Sequence, residues 1–221
     1  MPHAQFVEGE YYHIYNRGVE KRLIYLHDDD RWRFLTLLLI LQGDVVAPQI
    51  NRVIPHVKHR RFDSEIFAGV LRFRYAELVN FCLMPNHFHL IVRELKEGGI
   101  SKFMQRLSDA YTKYFNIKYS RTGHLFGGKF QSIHIDQNEY LKYVSAYIHL
   151  NPRDLKQWNH KEIQYPWSSF QDLSVNNRFG EFLNPSIILD QFDSGREYQD
   201  FVEETPIKEI KNEITPDYLI D

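Results

Sequence analysis

Only one cysteine, Cys82, occurs in the 221 residues, which excludes an internal disulfide and a cysteine-based zinc site within one chain. No apolar run approaches the roughly 18 residues needed to span a bilayer. The beginning, MPHAQFVEGEYYHIYNRG, carries no apolar segment of the kind found in an export signal. A protein of the reducing cytoplasm, without membrane contact, is therefore expected. Internal repeats and low-complexity tracts are missing too. Charge of either sign is scarce on balance, with a net of only −2. That average argues on its face against a nucleic-acid partner, but averages hide segregation along a chain. Residues 190–221 hold ten acidic and three basic residues, a net of −7, which leaves +5 for residues 1–189. The body is basic and the tail acidic.

What is present suits one well-buried core: 43% of the residues are hydrophobic and 15% aromatic, too many for a disordered chain. The run YYHIYNR at 11–17 is rich in β-formers and ends at Gly18, which predicts a first strand closing in a turn. Asp28, Asp29 and Asp30 then precede RWRFLTLLLILQ, an acidic start for a mostly buried helix that stops near Gly43. Residues 44–74 show no clean period, two prolines and a basic cluster at Arg52, His56, Lys58, His59, Arg60 and Arg61; they are expected to be irregular or inserted. The runs 75–84 and 87–94 flank Pro85-Asn86 and predict an antiparallel hairpin. Ile100, Phe103, Met104, Leu107, Tyr111, Tyr114 and Phe115 fall at helical spacing. A glycine-punctuated basic loop, SRTGHLFGGKF, leads to a fourth strand in QSIHID. Asp136 and Glu139 suggest a capping box for a last helix reaching about Leu150, with Pro152 beyond it. The order β-α-β-β-α-β-α implies an α+β fold of the ferredoxin-like, split βαβ type: a central antiparallel sheet, helices on one face and one added helix.

Two constellations carry chemistry. In HFHLIVR the side chains alternate, so His87 and His89 share one strand face while Phe88, Leu90 and Val92 serve the other. In NEYLKYVSAYIHLNP, Leu141, Val144 and Ile148 form a core stripe. Tyr147 and Asn151, four apart, point the same way about a quarter-turn from it. Each motif also has an ordinary reading. A histidine pair on a strand is commonly structural or solvated, and Tyr140, Tyr143 and Tyr147 have the spacing of a packed aromatic stripe. Alone, neither identifies a function.

Together they acquire meaning. The strings NRG at 16–18, FCLMPNHFHLIV at 81–92, YTKYFNIKYSRTGHLFGGKF at 111–130, YIHLNP at 147–152 and YPWSSF at 165–170 resemble the single-tyrosine HUH transposases, and among them the REP-associated tyrosine transposases. The likeness runs in order from about residue 11 to 170. It implies a metal-dependent endonuclease and strand transferase acting on single-stranded or hairpin DNA through a 5′-phosphotyrosine. Tyr147 would be the nucleophile, His87 and His89 metal ligands with Phe88 between them, and Asn151 a third ligand. Mg²⁺ or Mn²⁺ suits two imidazoles and an amide oxygen with open positions. Asn16, Arg17, Arg106, Lys113, Arg121, His124 and Lys129 are the expected DNA contacts, with 52–61 and 121–129 as groove walls. Each cation taken singly is equally well a solvated surface charge. Arg153-Asp154-Leu155 departs from the Val-Arg-Ala common in that family.

The catalytic domain is expected over 1–160 and a C-terminal extension over 161–221. Its acidic end, 190–221, is expected to be partly flexible: either a solvated, solubilising end or surface helix, or a competitor for the DNA groove. Family members act as monomers or homodimers, and the sequence leaves both open. Competing readings are a relaxase or replication initiator, a catalytically silent DNA-binding regulator, and a ferredoxin-like metabolic or metal-sensing module.

Overall fold

The aromatic-rich run Tyr11–Arg17 forms strand β1 in a computed structural model that describes residues 6–44 and 50–206. Gly18 turns the chain sharply: a Cβ there would collide with the carbonyl oxygen of Arg22, so the close return requires glycine. Helix α1 (Asp28–Ile40) begins on its acidic residues as expected. Asp30 folds back to accept the backbone N–H groups of Leu26 (2.9 Å) and His27 (3.0 Å), which the helix itself cannot satisfy. Lys118 Nζ (2.7 Å) and the hydroxyls of Tyr114 (2.9 Å) and Tyr119 (2.6 Å) donate to the same carboxylate. Burial alone would raise its pKa, but the donors, Lys118 foremost, outweigh it and hold the carboxyl down to about 2, from 3.8.

That shift fixes a sign. A carboxylate whose folded pKa is depressed contributes stability above its unfolded value and loses it as the pH falls. Between about pH 4 and pH 2 the wild type should therefore lose stability to denaturant faster than Asp30→Asn, whose lower stability should be flatter over this window. Parallel curves for the two proteins would remove Asp30 from the account of acid unfolding.

Residues 50–72 correct the expectation of an irregular segment. Helices α2 (Ile50–Lys58) and α3 (Glu65–Arg72) occupy most of it. Ile50, Val53 and Val57, then Phe67 and Val70, are buried at helical spacing, a pattern masked by Pro55 and by interspersed basic residues. Gly43 lets the end of α1 meet α3, since a Cβ there would run into the carbonyl of Val70.

Strands β2 (Ala76–Met84) and β3 (His87–Glu94) make the predicted hairpin, followed by α4 (Gly99–Lys118), β4 (Gln131–Ile135) and α5 (Asn138–Leu150). The sheet order is β2-β3-β1-β4 with every neighbouring pair antiparallel, so β3 splits the parallel pair β1 and β2. This is the predicted α+β, split βαβ architecture. A bulge between Leu78 and Asn80 resets the alternation, placing Asn80, Cys82 and Met84 opposite Ile91, His89 and His87. Helices α1 and α4 cover one face, where Phe88 packs on Phe34 with ring centroids 5.2 Å apart. Helix α5 covers the other, where Asn80 donates to Ser145 Oγ at 2.8 Å. The predicted capping box of α5 is not formed: Gln137 is the N-cap residue and makes no side-chain cap bond.

The remaining described chain seals this scaffold. Bonds from Leu83 N–H to Trp167 O, Ser169 N–H to Phe81 O and Asn184 N–H to Leu78 O line the outer edge of β2, removing an open sheet edge. Helices α6 (Phe170–Ser174), α7 (Ser186–Leu189) and α8 (Gly195–Glu204) follow. Of the acidic end 190–221, residues up to 206 are folded through α8, in keeping with the helix alternative rather than a free competitor; residues 207–221 lie outside the described residues. The physical reason is an amphipathic pattern: Tyr198 and Val202 are fully buried although acidic residues surround them in sequence.

Tyr198 ties α8 to α5. Its hydroxyl lies 2.6 Å from both His149 Nδ1 and Ser145 Oγ, and His149 Nε2 reaches Ser169 Oγ at 2.9 Å. Burial holds the His149 ring neutral, with its pKa lowered to about 3. His149 is thus a structural residue of the core. Tyr198→Phe strands two buried partners and should cost about 1–3 kcal/mol, read as a lowered urea midpoint. Truncation after Leu189 should cost more, because it uncovers the back of α5.

Candidate active site

Antiparallel pairing builds the site from two strands. In β1 and β3, Arg17 lies opposite His87, Tyr15 opposite His89 and His13 opposite Ile91. Side chains of directly paired residues share a face, so His13, Tyr15, Arg17, His87 and His89 all stand beneath α5. His13 and His89 are fully buried and His87 is 7% exposed.

The helix brings its own pair. Asn151 keeps helical dihedrals (φ −49°, ψ −40°) past the last turn of α5, so the i, i+4 relation to Tyr147 survives. Asn151 Nδ2 donates to the Tyr147 carbonyl at 2.8 Å, which turns its Oδ1 toward His87 Nε2, 3.1 Å away. The Tyr147 ring stands edge-on to His89 with centroids 5.3 Å apart. Tyr147, His87, His89 and Asn151 therefore meet at one place. Tyr143 does not join them; its ring packs against Phe201 of α8, 5.6 Å between centroids.

Hydrogen bonds anchored on backbone carbonyls decide which atoms face inward. Asn86 Nδ2 donates to the Lys21 carbonyl (3.1 Å), leaving Asn86 Oδ1 to accept from His87 Nδ1 at 2.7 Å. His87 Nε2 then presents a lone pair to the Asn151 oxygen, so two acceptors stand face to face. A cation between them resolves the repulsion, as would a proton on His87. His89 Nε2 is buried with no hydrogen-bond partner, a third donor atom for a metal. Ligands at right angles on Mg²⁺, each about 2.1 Å from the ion, lie about 3.0 Å apart, close to the 3.1 Å between His87 Nε2 and Asn151 Oδ1. The residues present thus fit a small hard cation held by two imidazoles and an amide. Among the described residues, no three His, Cys, Asp or Glu side chains gather to hold an ion. A third protein ligand beside the two imidazoles would therefore have to be the Asn151 amide.

Electrostatics keep the ligands available. Burial, then neighbouring His13, His87 and Arg17, push the pKa of His89 well below 6.5, and burial lowers His13 to about 3. Both rings are neutral at physiological pH, the form in which imidazole binds metals.

The expected DNA contacts do not form one cluster. Arg17 lies on the histidine face beside His87, with its buried Nε unpartnered. Asn16 faces the other way and donates to the Gly128 carbonyl at 3.1 Å, holding the glycine loop in place. Lys113, His124 and Lys129 line a groove of about 870 Å³ between α4 and residues 124–130, together with Met104, Phe126 and Phe130. Phe126 packs on Phe88, so this groove lies on the α1 and α4 side of the sheet. Arg121 is bonded to Asn116 at the end of α4. Arg106 donates to the Gly43 carbonyl (2.9 Å) and the Tyr75 hydroxyl (2.6 Å), at the opposite end of β2 from the hairpin turn. Arg52, Lys58, His59, Arg60 and Arg61 are exposed on and after α2. His134 on β4 pairs with Glu10.

A family model described as IS200-like transposase matches residues 45–151, a span that includes His87, His89, Tyr147 and Asn151. The segment that carries these four residues thus resembles an IS200-like transposase. Strand β1, which supplies the cross-strand side of this site, lies outside the matched span. The fold is also similar to a solved REP-associated tyrosine transposase bound to a REP hairpin, at a TM-score of 0.51 and 15% identity over 78% of this chain and 84% of that one. Among curated proteins none matches the sequence. No helix among the described residues is long and apolar enough to cross a membrane.

Sequence reading missed His13, Tyr15 and Asn86. Positions 13, 15 and 17 do alternate, but nothing local tells which residue of β1 will oppose His89. Asn86 was read only as a turn residue.

Proposed function

We propose that this protein is a transposase, a site-specific single-strand DNA endonuclease and strand transferase, with Tyr147 as nucleophile and His87, His89 and Asn151 as ligands of Mg²⁺ or Mn²⁺. The observation that carries the proposal is the meeting of these four residues, with His87 Nε2 and Asn151 Oδ1 fixed 3.1 Å apart as opposed acceptors. A divalent ion held there would neutralise charge on a scissile phosphate and restrict its orientation. Tyr147 supplies the attacking oxygen. Its bond to phosphorus forms as the bond to the 3′ oxygen breaks, which leaves a 5′-phosphotyrosine and a free 3′-OH. Reattack by a 3′-OH reverses the exchange and joins strands, because the phosphotyrosine keeps the phosphodiester linkage. Arg17, beside His87, is placed to hold a phosphate oxygen of the same strand.

Affinity comes from elsewhere on the surface. The groove bearing Lys113, His124 and Lys129 combines cations with Phe126 and Phe130, which suits the backbone and unstacked bases of a DNA hairpin. Arg106 is assigned to holding the scaffold and Asn16 to holding the loop; Arg121 remains a candidate contact at the groove's end. Since β1, β3 and the end of α5 of one chain complete the site, a monomer with its tyrosine in cis is the simplest working unit.

Incubation with a labelled single-stranded hairpin and Mn²⁺ tests the proposal: a covalent protein–DNA adduct is expected, and a silent DNA-binding regulator gives none. Asn151→Ala should weaken cleavage by about 10–100-fold, less than loss of either histidine, since water can replace a neutral oxygen ligand. The deficit should shrink at high Mn²⁺. An Asn151→Ala protein as active as wild type at limiting Mn²⁺ would remove the amide from the ligand set.

A further inference from the structure

The element left unused by this chemistry is His13. It is fully buried on β1, and its Nε2 lies 2.9 Å from His89 Nδ1 with the two rings 22° from coplanar and 5.1 Å apart. The two outer nitrogens, His13 Nδ1 and His89 Nε2, are both buried without partners. Two neutral imidazoles joined this way have two proton arrangements. In one, His89 Nδ1 donates to His13 Nε2 and His89 Nε2 carries a lone pair. In the other, His13 donates, and His89 Nε2 carries the hydrogen and cannot bind a cation. A buried polar atom on each ring is unsatisfied in either arrangement, so the protein by itself gives neither a decisive advantage; a ligand at His89 Nε2 selects between them.

We propose that His13 is a positioning residue for the metal site: as hydrogen-bond acceptor from His89 Nδ1, it fixes the tautomer and ring orientation in which His89 Nε2 faces the ion. The inference rests on the reading of His87, His89 and Asn151 as ligands. It assigns to a histidine the outer-shell role that carboxylates and backbone carbonyls usually take beside a metal-bound imidazole. The arrangement parallels the one at His87, where Asn86 Oδ1 accepts from Nδ1 and Asn151 faces Nε2. Each ligand imidazole thus has its rear nitrogen tied to a neutral acceptor. Because the acceptor for His89 comes from β1, the site depends on a strand that the matched family span does not include.

The test measures metal binding rather than turnover, with the full chain and no DNA. Mn²⁺ titrated into the wild type, His13→Gln and His13→Leu, and followed by the electron paramagnetic resonance of free Mn²⁺, should give three distinguishable affinities. His13→Leu, which offers no acceptor, should bind about 10–100-fold more weakly. His13→Gln, whose side-chain oxygen can accept from His89, should stay within a few-fold of wild type. Thermal unfolding of the metal-free proteins separates this pattern from a packing defect, which would lower stability without discriminating Gln from Leu by affinity. Equal weakening in both variants, or none in either, overturns the role of His13. A wild type that binds no Mn²⁺ while the chain is folded overturns the ligand assignment, and this inference with it. Should His13→Leu fail to fold, ¹⁵N imidazole spectra of the unmodified protein decide the matter. With diamagnetic Mg²⁺ at saturation, His89 is expected as the Nδ1–H tautomer, and an Nε2–H tautomer contradicts the proposal.

Discussion

Tyr147→Phe is expected to reduce cleavage of a single-stranded hairpin by a factor on the order of 10⁴ or more and to abolish the covalent adduct, the scale seen when a nucleophile is removed from a catalytic unit. Hairpin affinity should be unchanged. The substitution deletes one oxygen and keeps the ring, which stands edge-on to His89 in a buried setting, so the fold and the groove beyond the sheet are not disturbed. Tyr143→Phe is the matched control. One turn earlier on α5, that ring packs against Phe201, and its loss should affect stability more than chemistry. Full cleavage by the Tyr147→Phe protein together with an inactive, folded Tyr143→Phe protein would reverse the assignment.

His87→Ala combined with His89→Ala should eliminate Mn²⁺-dependent cleavage and weaken Mn²⁺ binding by more than the roughly 10–100-fold that loss of an outer-shell partner costs. Hairpin binding in the presence of a chelator should persist, since Lys113, His124 and Lys129 lie on the other side of the sheet. The two single variants need not be equal. His87 borders solvent and faces Asn151, while His89 is fully buried between His13 and Tyr147. His89→Ala therefore opens a cavity and leaves His13 without its partner, and it should lower the unfolding midpoint as well. If the double variant retained wild-type Mn²⁺ dependence, the ion would have to sit elsewhere.

Some of this was legible from residues in order. Period-2 alternation put His87 and His89 on one face of β3, and the geometry of a helix put Tyr147 over Asn151; both follow from backbone repeats that hold wherever the segment lies. The order of elements implied the split βαβ sheet. The groove shows where that reading stops: Arg17, Arg106, Lys113 and Lys129 are comparable as cations in a sequence, yet the fold sends them to both faces and the far end of the sheet. The same limit applies to residues 190–206. Their acidity left a flexible end and a surface helix both open, but Tyr198 and Val202 are fully buried and α8 packs on α5, and the hydrogen bonds that hold Tyr198 come from residues about fifty positions earlier in the chain.

The sequence alone determined the local pairs, because a strand or helix fixes the direction of neighbouring side chains through its own repeat. Only the tertiary structure decided that those pairs meet. The register that sets His13, Tyr15 and Arg17 against Ile91, His89 and His87 depends on how two strands about 76 residues apart align. A shift of one position would have turned all three to the opposite face. The inward aim of His87 Nε2 and Asn151 Oδ1 likewise depends on carbonyls of Lys21 and Tyr147, anchors that a linear pattern of residue types does not contain.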